Sequence, residues 1–223
     1  MRTTVIACKT IEHELNAAIQ AAGTEYPVVW LEPGLHNSPK KLNAVLQETL
    51  DALDTDRVLM ALGSCGNSLA GLETRDFELI FPRVDDCISL LLGGVSKRLA
   101  ISRELAAYFF TYGWLNGENN IWWEYCRMCE RFGEETAQML VEDMYGHYRT
   151  LGLIDCGAMP FEPLVRDSRK IAETLHLEQR RIEGTLDYLD ALIRGPWDEK
   201  RFFRKAKNST IELAELIEMN REA

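Results

Sequence analysis

From Thr3 to Leu92 the chain alternates short β-rich apolar runs with stretches of helical periodicity, a pattern that few folds satisfy. Thr3–Ala7, Pro27–Leu31, Arg57–Leu62 and Glu78–Phe81 read as strands, and near-continuous apolar runs suit strands covered on both faces. Between the first two, Ile11, Leu15, Ala18, Ile19 and Ala22 recur at helical spacing, and Gly23 ends that helix. Ser38 stands where a cap belongs, with Pro39 at the first helical position and an apolar stripe from Leu42 to Leu53. Asp85 or Asp86 can cap a short apolar helix that runs to Leu92 and stops at Gly93-Gly94. Alternation of this type requires parallel strands joined by right-handed crossovers. The expected fold is α/β: a mostly parallel sheet flanked by helices in a Rossmann-like three-layer arrangement.

The second half is less regular. Ala106–Thr111 reads either as a strand or as the end of a helix starting near Ser102. Glu118–Phe132 and Glu134–Tyr148 read as two helices divided at Gly133, followed by a strand at Leu151–Asp155. Pro163–Leu175, Gly184–Ile193 and Ser209–Met219 read as helices, and Gly195-Pro196 as a break. The pattern predicts two βα halves around one sheet. They form a single domain over residues 1–223, with its weakest internal boundary near residues 95–115.

Charge narrows the function classes. The net charge is −10, whereas binding to phosphates needs clustered Lys and Arg, so nucleic acid is not an expected partner. Lys200, Arg201, Arg204, Lys205 and Lys207 form a local cluster that reads as a solvated face. No run of about 18 uncharged apolar residues is present, so no membrane span is expected. The N-terminus lacks the basic-then-apolar pattern of a signal peptide. A cytoplasmic location follows, where the six cysteines are thiols or ligands rather than disulfides.

Three of those cysteines end strands. Cys8 closes Thr3–Ala7, Cys65 closes Arg57–Ser64, and Cys87 follows Phe77–Phe81 after a short turn. Ligands of open parallel sheets bind in the crevice beyond the C-terminal strand ends, so these cysteines can meet in one place. Gly66 permits close backbone approach. A helix starting near Asn67 would point its amides at the Cys65 sulfur and favour thiolate, and the same argument applies to Cys87 behind Asp85 and Asp86. Thiolate binds metal or attacks an electrophile. The competing reading for each cysteine is a small buried hydrophobe.

His36 lies on the loop after the second strand, at the same end of the sheet. It can complete a three-cysteine, one-histidine zinc site, donate a proton near an open metal, or simply help to cap the next helix. Glu12 either faces the cysteines or favours the dipole of the first helix. Cys126-Arg127-Met128-Cys129 has redox-motif spacing but lacks a preceding strand, and reads as one face of a packed helix. Cys156 repeats the strand-then-cysteine pattern and is a reserve ligand. Trp122, Trp123, Tyr125 and the Tyr112-Gly113-Trp114 turn either wall a pocket for a flat or cationic ligand or pack in the core. Tyr145, His147 and Tyr148 can also reach the crevice.

Five elements in order resemble the DUF1638 family: Val5–Cys8, Leu35–Pro39, Leu62–Asn67, Asp86–Gly93 and Tyr108–Leu115. Tyr148–Gly157 and Gly195–Asp198 add to the likeness, whereas the tail Phe202–Lys207 departs from the family's glycine-containing ending. The resemblance implies an α/β protein frequent in anaerobes and methanogens, often beside corrinoid-dependent methyl transfer. It supports Cys8, Cys65 and Cys87 as a set with His36 beside them. The resulting expectation is a metal-dependent enzyme for small-molecule methyl or sulfur transfer. Its three cysteines hold an open [4Fe–4S] cluster or zinc, with Gly66 and Asn67 in the binding loop and His36 and Glu12 as catalytic groups. The alternative is a metal- or corrinoid-binding accessory protein. Expected partners are a small-molecule substrate, a corrinoid protein or methyltransferase, and a second copy of the chain.

Overall fold

The computed structural model describes residues 1–222. The first part runs β1 (Thr3–Cys8), α1 (Glu12–Ala22), β2 (Val28–Leu31), α2 (Pro39–Asp51), β3 (Arg57–Ala61), β4 (Glu78–Pro82), α3 (Cys87–Leu92) and α4 (Val95–Leu105). The second runs β5 (Ala107–Phe110), α5 (Tyr112–Leu115), α6 (Ile121–Phe132), α7 (Glu134–Tyr145), β6 (Thr150–Asp155), α8 (Phe161–Thr174), β7 (Glu178–Glu183) and α9 (Asp187–Arg194). The chain then returns through β8 (Phe202–Lys205) and ends in α10 (Leu213–Glu222). Among the described residues no helix is long and apolar enough to cross a membrane.

A mostly parallel five-stranded sheet has the order β2-β1-β3-β4-β8, and a fully parallel three-stranded sheet the order β5-β6-β7. Helices flank both in a Rossmann-like arrangement. The strands therefore divide between two sheets, not around one. Alternation along β1 shows why the larger sheet is covered on both faces: Val5 and Ala7 enter one core, and Ile6 enters the other. The first of these cores also takes Ile154, Ile182 and Leu192 from the second part, so the two sheets share apolar packing. Helix α1 packs against α9 across that junction.

Two strands escape sequence reading. β7 is Glu-Gln-Arg-Arg-Ile-Glu at the edge of its sheet, with Ile182 as its one buried residue. β8 arises from the basic cluster expected to be a solvated face. It pairs antiparallel with β4, burying Phe202 and stacking Phe203 on Phe81 at 5.1 Å. The charges are matched locally: Arg204 meets Glu78 at 3.1 Å, and Lys205 meets Glu215 at 2.9 Å. The Ala106–Thr111 ambiguity resolves into α4, a left-handed Ala106 and then β5. Pro39 does open α2, but the Ser38 side chain makes no capping bond.

Candidate functional site

A cavity of about 840 Å³ lies between the two parts, within the range of small-molecule sites. The larger sheet offers it the C-terminal ends of β1 and β3 and the loop after β4, carrying Cys8, Cys65 and Cys87. The smaller sheet offers its opposite, N-terminal end, through Tyr108 on β5 and His147 and Tyr148 before β6. The crevice rule thus holds for the first sheet only.

Close backbone approach brings the cysteines together. Beyond β3 and β4 the pairing continues, with Ser64 N–H donating to the Val84 carbonyl at 3.0 Å and Cys65 N–H to Asp85 at 2.8 Å. Gly63 makes this possible, because a Cβ there would fall 2.4 Å from the Asp86 nitrogen. The Cys8 loop is held from the second part. A Cβ on Gly113 would lie 2.6 Å from the Thr10 carbonyl oxygen, and the Thr111 hydroxyl donates to that same oxygen at 2.7 Å. The buried Thr10 hydroxyl in turn faces the Cys87 sulfur at 3.9 Å.

The expected helix at Asn67 is absent. Residues 66–71 form turns, and Cys65, Gly66 and Asn67 all have positive φ, at 40°, 70° and 64°. Left-handed backbone is costly for a non-glycine residue and recurs at functional sites. With no helix behind it, the Cys65 thiol is not acidified. Burial, then Asp86 and Cys8, push it up to about 12. Cys87 does begin a helix, but α3 has only six residues and the Asp86 carboxylate caps it, accepting from Ser89 N–H at 2.7 Å. Burial and that carboxylate raise the Cys87 thiol well above its ordinary value. Desolvation dominates at both sulfurs, and at Cys87 it outweighs the helix-end effect.

The other chemistry-bearing groups are fixed around them. Arg98 of α4 donates to the Asp85 carboxylate at 2.7 Å and to the Ser89 hydroxyl at 2.9 Å. Asp86 is itself raised, by burial first and by Asp85 second. His36 lies on the cavity wall with its ring 5.1 Å from Trp114, and burial lowers its pKa, which keeps the imidazole neutral near pH 7. Gly66 also lines the cavity, its φ of 70° set close against Pro39.

Other expected participants lie elsewhere. Asn67 is exposed and not on the wall. Glu12 lines a separate surface cavity with His13 and Glu32. Cys156 follows the C-terminal end of β6, whereas the cavity takes the other end of that sheet, and its sulfur packs against Gly184. Cys126 and Cys129 pack beside Tyr125 and Val141. Trp122 stacks on Tyr125 at 5.4 Å within that packing rather than on the cavity wall. Tyr145 donates to Glu124. Sequence reading missed Arg98, whose helix carries no buried stripe, and Gly63, whose role depends on a segment some twenty residues on.

Fold and cavity define a mixed α/β protein with a thiol-lined site between two sheets. Residues 30–193 match the family model described as "Protein of unknown function (DUF1638)", and the chain belongs to that family. Cys65, Cys87 and His36 fall inside the matched span, and Cys8 precedes it. No curated protein and no solved structure matches.

Proposed function

We propose that this chain is a metal-dependent enzyme in which Cys8, Cys65 and Cys87 hold a [4Fe–4S] cluster with one position open to a small-molecule substrate. The observation that carries this reading is the meeting of three thiols, from three separate segments, at one cavity. Their soft sulfur chemistry suits iron–sulfur clusters or zinc. Among the described residues, no three His, Cys, Asp or Glu side chains stand as ligands of a single ion. A cluster asks less of them, because each thiolate takes its own iron. Zinc draws its sulfurs to about 2.3 Å from one centre and is the second choice of metal.

Burial first and Asp86 second raise Cys65 and Cys87, and a bound cation would offset both, since metal ligation deprotonates thiols. When bound, the cluster supplies Lewis acidity at its open position. The chain's own residues do the rest. Thr10 orients Cys87, neutral His36 can accept a proton beside the site, and Leu31, Leu35 and Leu62 keep water from the cavity wall. Small-molecule methyl or sulfur transfer, in anaerobic one-carbon metabolism, is the reaction class we assign. The test is Cys65→Ala, purified without oxygen. It should lose most of its bound metal with its circular dichroism intact, and unchanged metal content would refute the assignment.

A second reading has its own support. Phe132, Met139, Leu140 and Met144 are exposed on α6 and α7, and exposed apolar groups of this kind mark protein partners. They favour an accessory protein that brings a metal or corrinoid to a methyltransferase. Stable co-elution with a corrinoid protein, without turnover, would select this reading over the enzyme.

A further inference from the structure

The thiols occupy one side of the cavity, and the side built by the second part has a different chemistry. Trp114 stands there, 5.1 Å from the ring of His36, which the first part sends across. Tyr108 meets Tyr148 edge-on at 5.4 Å, and Tyr148 packs on His147 at 4.1 Å. The Tyr108 hydroxyl is already engaged by the Ile121 N–H at 3.1 Å, which fixes that ring in place. These rings line the cavity, and the faces of aromatic rings attract cations.

The charged groups point the same way. Three carboxylates, Glu32, Asp85 and Asp86, share the wall with one guanidinium, Arg98. Glu32 is answered from outside by Lys9 at 2.6 Å. Arg98 spends its Nε and Nη2 on Ser89 and Asp85, so its charge is already matched within the wall. Asp86 is 3.8 Å from Arg98, beyond hydrogen-bond reach, and accepts from the Ser89 N–H of its own helix, so among the described residues no cationic side chain is hydrogen-bonded to it. Leu31, Leu62 and Ile88 complete an apolar lining that offers few groups to solvate a bare ion.

We infer that the aromatic side of the cavity binds a small alkylated ammonium cation, its charge between the rings and Asp86 and its alkyl groups against the aromatic and leucine surfaces. This names the substrate class for the proposed site and rests on the same cavity, but not on the identity of the metal.

The test uses the full chain, purified without oxygen, with iron and zinc measured on every sample. Choline, its neutral carbon isostere 3,3-dimethylbutan-1-ol and acetate are titrated separately and followed by tryptophan fluorescence and calorimetry. Choline should bind saturably, and the isostere at least about fivefold more weakly, as a cation–π site requires. Tyr148→Ala should weaken choline about tenfold, and Tyr148→Phe, which keeps the ring, should bind as the parent does. Equal affinity for the isostere, preference for acetate, or an unchanged Tyr148→Ala would each overturn the inference. Metal without saturable choline binding rejects the cation and leaves the metal centre standing. Choline binding by a protein that holds no metal does the reverse.

Discussion

Glu14 offers a sharp physical test of the fold, away from the cavity. It lies on α1, is only 6% exposed, and its Oε2 has no hydrogen-bond partner. Burial pushes its carboxyl from 4.5 up to about 7. At 1.36 kcal/mol per pH unit, the difference amounts to about 3 kcal/mol. Below pH 4.5 the carboxyl is neutral in both folded and unfolded chains and contributes no pH-dependent term. Between 4.5 and 7 the folded chain keeps a proton that the unfolded chain has released, so stability falls as pH rises. Above 7 the full penalty applies. Glu14→Gln keeps the shape without the charge. It should match the parent near pH 4.5 and exceed it by up to about 3 kcal/mol at pH 8, or about 6–12 °C in Tm for a chain of this size. Urea unfolding of both proteins from pH 4.5 to 8 measures this, because groups common to both cancel in the difference. A difference that stays constant across that range would show that Glu14 is not a buried titrating carboxyl.

Three further outcomes follow from the site's construction. Gly63→Ala drives a Cβ against the Asp85–Asp86 backbone; thermal melts should show a loss of about 1–3 kcal/mol, with metal content falling as the cysteine loops part. Asp86→Ala removes the α3 cap and should cost about 1 kcal/mol in urea unfolding. Cys126→Ala lies off the cavity, so metal analysis should find the parent's content, and a loss would place a second centre on α6.

The first part of the chain was legible because its order is local. Buried parallel strands are apolar throughout, so Thr3–Cys8 and Arg57–Ala61 stand out from the helices between them. Edge strands lack that signature. β7 buries little, and β8 is specified by pairing with a strand more than a hundred residues earlier. The site divides in the same way. Three cysteines at strand ends could be read from spacing, because the end of a strand fixes where its last side chain goes. The thiol pKa direction could not, since it depends on how deeply the loops bury the sulfurs and on how near Asp86 lies. The aromatic wall was legible only in part: Trp114, His147 and Tyr148 were candidates and do line the cavity, but so were Trp122 and Tyr145, which do not. Trp122 and Tyr148 look alike in sequence, and only the way the second sheet faces the first sends one into packing and the other to the cavity.

The central claim is that Cys8, Cys65 and Cys87 jointly hold a metal centre. It is tested most directly by purifying the chain without oxygen and without a metal-affinity tag, then measuring iron, zinc, cobalt and acid-labile sulfide with the visible spectrum. About four iron and four sulfide per chain, with broad visible absorption, are expected. All six thiols free and no bound metal would contradict it.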